Sequence, residues 1–211
     1  MFPLILTRPD LLAVVVGGGE VGRRKARAAL DGGLRVRVVS PGPRPADVPE
    51  PAEWLAEPYH PGHLDGAALA FAAATPEVNA RVIADARRRG VWVSAADDPA
   101  GSDFVLPAVL RRGPLLLAVG TGGAAPALAR RVRDKLAGEF DEAFRQWVEL
   151  LGEMRLLVRE QVLDPARRRG LLERLSAWEW LERLRAEGVD AARAAMRGEV
   201  TAVVRRSDER L

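Results

Sequence analysis

Three segments of the chain carry residue types whose spacing could do chemistry. The first is Gly17-x-Gly19-x-x-Gly22, the second is Asp97-Asp98, and the third is Gly120-Thr121-Gly122-Gly123. A glycine turn before a helix can bind an anion through free backbone N–H groups, and a carboxylate can accept a proton. Each segment depends on the strands and helices around it, which must bring it to the edge of a sheet.

The first glycine turn lies between a predicted strand and a predicted helix. The apolar run Leu11–Val16 indicates a buried strand, and apolar residues then recur at helical spacing until Gly32-Gly33. A second run, Val36–Val39, completes a strand–helix–strand unit. In that context the turn predicts binding of a dinucleotide pyrophosphate, the alternative being a purely structural glycine turn.

The residues after the second strand do not decide which dinucleotide is bound. Dinucleotide-binding domains often place a ribose-binding carboxylate there, but this chain has Ser40-Pro41. The nearest carboxylate is Asp47, and Arg44 is close enough in sequence to contact a phosphate. The choice between NAD and NADP therefore stays open from this segment.

Alternating strands and helices continue to residue 96. Strands are predicted at Glu53–Glu57, Leu69–Ala74 and Val91–Ala96, with a helix at Pro76–Arg89, so we predict an α/β fold with a Rossmann-like, doubly wound parallel sheet. Asp97-Asp98 follows the last strand, at the edge where open α/β sheets bind ligands. We expect one carboxylate to face the site and the other to face away, the alternative being that both cap the loop.

The alternating pattern changes from Asp97, where a loop extends to Asp103. Ala108–Leu110 and Leu115–Val119 suit a hairpin, and Pro126–Leu136 suits a basic helix. From residue 139 onward the spacing predicts helices, with one further strand at Val200–Val204. We therefore expect a small α+β segment and a helical C-terminal domain after the sheet. The expected domains are 1–112, 113–145 and 146–211.

The second glycine turn precedes a helix rich in cations. Arg130, Arg131, Arg133 and Lys135 follow it within about three helical turns. Backbone donors and cations in this order could bind carboxylates or phosphates. Taken alone, however, the pattern favours an ordinary solvated basic face.

Two histidines suggest a metal site but do not complete one. His60 and His63 stand in a loop with a proline and a glycine between them. The sequence offers no third ligand at a useful spacing, so we predict that no metal binds there.

The composition excludes several classes of protein and site. The 211-residue chain has no cysteine, which removes disulfides, thiolate metal sites and a cysteine nucleophile. Its 32 basic and 29 acidic residues nearly cancel, to a net charge of +3, so binding to nucleic acid is not indicated. No apolar run is long enough to span a membrane, and no signal peptide is evident. We expect a cytoplasmic protein.

The chain resembles the precorrin-2 dehydrogenase family, which also forms the N-terminal module of siroheme synthase. Val14–Ala26, Ser94–Leu110 and Gly113–Leu136 carry the resemblance. It implies NAD-dependent oxidation of precorrin-2 to sirohydrochlorin in siroheme biosynthesis, with Fe²⁺ insertion in some members, by a homodimer. A NAD-sensing regulatory module without tetrapyrrole chemistry is the alternative function.

The motifs and the resemblance together give the expected site residues. Asp97 is the expected general base. The expected substrate-binding residues are Thr121, Gly122, Gly123 and Arg130. The expected NAD-binding residues are Gly17, Gly19, Glu20, Val21, Gly22, Ser40, Pro41, Ala74 and Thr75. The chain departs from the family where Thr75 is followed by Pro76-Glu77-Val78-Asn79, a shorter connection than is usual.

Overall fold

The computed structural model of the protein describes residues 1–48 and 52–208. The chain forms two units, Met1–Leu106 (the first unit) and Pro107–Leu211 (the second unit). The finer division at residues 112/113 and 145/146 stays a prediction.

Five parallel strands form the sheet of the first unit. Their order across the sheet is β3-β2-β1-β4-β5, so the chain starts at the centre and adds strands on both sides. This order confirms the predicted Rossmann-like sheet. The strands are β1 (Leu12–Val16), β2 (Arg35–Val39), β3 (Glu53–Leu55), β4 (Ala67–Ala72) and β5 (Trp92–Ala95).

Strand β1 is apolar at every position because both of its faces are covered. Ala13 and Val15 pack in one core with residues of helix α1 (Glu20–Asp31). Val14 and Val16 pack in a second core with residues of helix α2 (Pro76–Arg89). The two helices therefore cover opposite faces of the sheet, which is the doubly wound arrangement.

The loops at the carboxyl edge of this sheet begin where the strands end. Strand β4 ends at Ala72, two residues before the predicted end, and residues 73–75 turn away toward α2. Helix α2 begins at Pro76 and ends before Gly90, whose φ of 66° lies in the left-handed region. A short 3₁₀ helix, Pro61–Leu64, precedes β4.

The second unit combines a hairpin with five helices among the residues that the structure describes. The predicted hairpin is present as an antiparallel pair. Apolar faces of the later helices form one core, which includes Leu150, Met154 and Met196. The elements are β6 (Ala108–Arg112), β7 (Leu115–Val119), α3 (Pro126–Glu139), α4 (Glu142–Gln161), α5 (Pro165–Leu175), α6 (Glu179–Glu187) and α7 (Val189–Asp208).

The predicted strand at Val200–Val204 is wrong, because these residues lie in helix α7. Val200 is fully buried, and Val203 and Val204 pack partly against the helical core. Burial of this face outweighs the preference of β-branched residues for strands.

No helix in the described part of the chain has the length and apolarity of a membrane span.

Candidate active site

The first glycine turn is built so that two of its glycines are required by packing. A Cβ on Gly17 would lie 2.2 Å from the carbonyl oxygen of Ala73, and the φ of Gly17 is +115°. A Cβ on Gly22 would lie 1.9 Å from the carbonyl oxygen of Gly17. A Cβ on Gly19, in contrast, would meet no atom within 4 Å. Backbone atoms therefore leave no space for a side chain at Gly17 and Gly22, whereas the space beside Gly19 is open.

Helix α1 begins at this opening without a capping side chain. Its N-cap residue is Gly19, which has no side chain to accept a hydrogen bond from the first turn. The first N–H groups of a helix have no partner within the helix, and here they include those of Glu20 and Val21. Because the helix dipole is positive at this end, the opening can accept a phosphate.

Two side chains line the turn where strands β2 and β3 end. A Cβ on Gly18 would lie 2.8 Å from Ser40 Oγ and 2.5 Å from the ring of Trp54. The Trp54 indole N–H donates to the carbonyl oxygen of Gly42 (3.0 Å), which holds the loop after Ser40-Pro41. The sequence predicted Ser40 and Pro41 at this turn but not Trp54. Trp54 lies on β3 and reaches the turn only because β3 pairs with β2.

A buried amide connects the loop after β4 with the loop after β5. Asn79, on the first turns of α2, is 2% exposed. Its Oδ1 accepts a hydrogen bond from the Ala74 N–H (2.9 Å), and its Nδ2 donates to Asp97 Oδ1 (2.8 Å). Ala73 and Ala74 lie beside Gly17. The contacts therefore place Asp97 at the sheet edge that carries the glycine turn, with its side chain exposed.

The two carboxylates of the acidic pair have different partners. Asp98 Oδ1 accepts from the Gly101 N–H (2.8 Å), and Ser102 Oγ donates to the carbonyl oxygen of Asp98 (2.8 Å). Ser102 Oγ also accepts from the Ala95 N–H at the end of β5 (2.9 Å). Asp98 thus stabilises the conformation of its own loop, whereas Asp97 accepts a hydrogen bond from Asn79. Local capping accounts for one member of the pair.

Thr75, the last residue of the predicted cofactor group, begins helix α2 as its N-cap residue. Its carbonyl oxygen accepts from the Asn79 N–H (2.8 Å). Together with Ala74 it forms the short connection between β4 and α2, beside Gly17.

The second glycine turn begins helix α3 in the second unit. Gly122 and Gly123 have φ angles of 66° and 85°, which favour glycine. Thr121 Oγ1 accepts from the Ala125 N–H (3.1 Å), so this hydroxyl shapes the turn. No side chain caps α3, and Arg130 is exposed without an ion pair among the described residues. This helix end can bind an anion.

The histidine pair has a third neighbour that the sequence did not reveal. Ligand atoms of Glu57, His60 and His63 all lie within 4.8 Å of one another, so the statement that no third ligand is available was wrong. His63 Nδ1 accepts from the His60 backbone N–H (3.1 Å), and Nε2 lies 2.8 Å from Glu57 Oε1.

These bonds explain why His63 is a structural residue. The His63 ring thus bridges the His60 backbone and the Glu57 side chain. The bond to Glu57 lowers the pKa of the Glu57 carboxyl. The absence of a metal ligand set stays a prediction.

Two family models match the chain, one over most of the first unit and the other near the start of the second unit. A family model described as "Putative NAD(P)-binding" matches residues 6–108. A second model, described as "Sirohaem biosynthesis protein central", matches residues 112–139.

Curated relatives and a solved structure cover almost the whole chain. Siroheme synthase 1 of Aeromonas salmonicida is 37% identical over 195 residues, which are 90% of this chain and 42% of the relative. Siroheme synthase of Pseudomonas aeruginosa is 39% identical over 187 residues, 86% of this chain and 40% of the relative. The chain thus spans about two fifths of the length of these relatives. The solved structure of SirC, precorrin-2 dehydrogenase, has the same fold, with a TM-score of 0.78, 21% identity, and coverage of 96% of this chain and 100% of that chain.

Proposed function

Because the chain belongs to the precorrin-2 dehydrogenase and siroheme synthase family, we propose that it oxidises precorrin-2 to sirohydrochlorin with NAD⁺ in siroheme biosynthesis. One observation carries the proposal. The open glycine turn and the exposed carboxylate of Asp97 lie at one edge of the sheet, linked through Ala74 and Asn79. A dehydrogenation needs a hydride acceptor and a proton acceptor side by side, and this edge offers a place for both.

The residues at the turn fit a nicotinamide dinucleotide. The space above Gly19 and the free N–H groups of Glu20 and Val21 suit its pyrophosphate. Ser40-Pro41, at the end of β2, would lie beside a ribose. Ala74 and Thr75 would lie toward the nicotinamide. When bound, the nicotinamide supplies the hydride acceptor.

The loop after β2 favours NAD over NADP. A 2′-phosphate needs a nearby cation, and Arg44 is the first arginine after Ser40. Its guanidinium donates to the carbonyl oxygens of Ala52 (3.2 Å) and Val48 (3.4 Å). Recruiting it to a phosphate would break these contacts. Asp47, the nearest carboxylate, is paired with Arg23 at 2.7 Å.

Asp97 is the proposed general base. In the overall reaction precorrin-2 loses two electrons and two protons: both electrons and one proton go to NAD⁺ as a hydride, and the other proton goes to the base. Oδ1 of Asp97 accepts the Asn79 amide, which leaves Oδ2 to take that proton. Metal insertion, in which Fe²⁺ is a substrate, would use the same carboxylate to accept pyrrole protons.

The second unit supplies the proposed substrate-binding and dimer surfaces. Precorrin-2 carries many carboxylates, which suit the donors of Thr121–Gly123 and the exposed Arg130. Helix α3 exposes Leu128 and Val132, 53% and 38% exposed and one turn apart. In the proposed homodimer this exposed apolar stripe would be buried between two copies of α3.

Incubation with precorrin-2 and NAD⁺, followed by the visible spectrum, tests the proposed function. The wild type should form sirohydrochlorin and NADH in equal amounts, and addition of Fe²⁺ then tests metal insertion separately. Asp97→Ala should bind NAD⁺ but lose oxidation. Asp65→Ala is the matched control, since this exposed carboxylate precedes β4 and lies at the opposite edge of the sheet. NAD⁺ binding with no spectral change in the wild type would favour the NAD-sensing module.

A further inference from the structure

Asn79 is a buried polar residue whose side-chain hydrogen bonds, among the described residues, go to the two loops of the proposed site. Oδ1 accepts from the Ala74 N–H (2.9 Å), and Nδ2 donates to the Ala74 carbonyl oxygen (3.4 Å) and to Asp97 Oδ1 (2.8 Å). The reversed amide would set oxygen against carboxylate and N–H against N–H, so these partners determine its orientation.

We propose that Asn79 is a positioning residue, which holds the Asp97 carboxylate in register with the Ala74 backbone and so aligns the proton acceptor with the hydride acceptor. The proposal rests on the proposed function, because it assigns Asp97 and Ala74 the roles given there. In this role Asn79 acts through Asp97.

The mobility of an exposed carboxylate is the reason for such a device. Asp97 is exposed and, among the hydrogen bonds of the described residues, accepts only the one from Asn79. Without it the side chain would be free to turn about its χ angles. Asn79, in contrast, is 2% exposed and lies on the same face of α2 as Val82 and Ile83, which pack in the core. The amide therefore transfers the rigidity of α2 to the catalytic group.

Two substitutions separate the halves of this connection. Asn79→Asp keeps an oxygen that accepts from Ala74 but loses the donor to Asp97 and sets two carboxylates against each other. Asn79→Leu has a similar volume and loses both contacts. Asp85→Asn is the matched control, a residue on the same helix that is 4% exposed and accepts from Tyr59 and Arg88 instead.

The proposal predicts a split between binding and turnover. Asn79→Asp should bind NAD⁺ almost as the wild type does, while kcat for precorrin-2 falls about 10- to 100-fold, because misplacement of a catalytic group by about 1 Å has effects of this size. Asn79→Leu should lose kcat similarly and also bind NAD⁺ more weakly. Asp85→Asn should lower Tm without changing kcat or the Kd for NAD⁺.

A double-mutant cycle with Asp97→Ala completes the test. If Asn79 acts through Asp97, Asn79→Asp has no further effect on the residual rate of Asp97→Ala. Full additivity of the two effects, or a wild-type kcat in Asn79→Asp, overturns the proposal while the wild-type activity still supports the proposed function. A wild type that does not oxidise precorrin-2 overturns the proposed function and this inference with it.

Discussion

Gly22→Ala should damage the proposed cofactor site without adding any group to its open side. The new Cβ would lie 1.9 Å from the carbonyl oxygen of Gly17, whereas ordinary contacts begin at 3.4 Å. The two atoms belong to backbone at the start of α1 and in the turn below it, so no flexible side chain can move aside. The turn and the helix must separate by about 1.5 Å, the difference between these distances.

This displacement allows the two effects to be estimated. Overpacking of this kind costs about 1–3 kcal/mol of folding free energy. A shift of about 1.5 Å also takes an N–H···phosphate bond beyond hydrogen-bonding distance. A hydrogen bond to a charged group contributes roughly 1.5–3 kcal/mol, so the loss of one bond weakens NAD⁺ binding about 10- to 100-fold. Calorimetric titration with NAD⁺ and urea unfolding of the protein without NAD⁺ measure these quantities.

Gly19→Ser is the matched control, because it should weaken binding without loss of stability. A Cβ at Gly19 would meet nothing within 4 Å, and serine is a good N-cap residue. Its hydroxyl, however, would occupy the opening and compete for the first N–H groups of α1. Unchanged NAD⁺ affinity in both variants would refute the placement of the pyrophosphate at this turn.

Three further substitutions test the second unit. Asp141 caps α4 by accepting from the Phe144 N–H, which lowers the pKa of its carboxyl. Asp141→Ala should therefore cost about 1 kcal/mol in urea unfolding at neutral pH. This cost should begin to decrease below about pH 3.9, the pKa of an unperturbed aspartate, and disappear as the pH falls through the lower pKa of the folded protein. Met154→Ala, at a residue 1% exposed, should cost about 2–5 kcal/mol in the same assay. Leu128→Glu should convert the proposed dimer to a monomer in light scattering, and a wild type that is already monomeric would contradict that proposal.

The sequence predicted those parts of the fold that depend on short-range patterns. The run predicted as a strand at Leu11–Val16 is β1, Leu12–Val16, because a continuous apolar run followed by glycines is decided locally. Helix α2 was predicted at its observed bounds, between a proline and a glycine that mark its ends. The prediction of a strand at Val200–Val204 was wrong because burial against the helical core, a long-range effect, decided the structure of these residues.

The candidate site shows the same limit. The glycine turn and Asp97 were visible as motifs, but the contact between Asn79 and Asp97 joins residues 18 apart, on α2 and after β5. The pairing of β4 with β5 creates it, and no local pattern contains that pairing. Asn79 is the only asparagine of the chain. The sequence signal that could have pointed to Asn79 was its position four residues after Thr75, near the start of the predicted helix. Glu57 was missed as a neighbour of His63 for a similar reason, because the two side chains meet only through the fold of the turn between them.

The most direct test of the central claim is to measure NADH and sirohydrochlorin together in a single reaction of the wild-type protein with precorrin-2 and NAD⁺. The account predicts equal amounts of the two products, and the loss of both in Asp97→Ala while that variant still binds NAD⁺. Equal turnover by Asp97→Ala and the wild type would contradict the role assigned to the carboxylate at the end of β5.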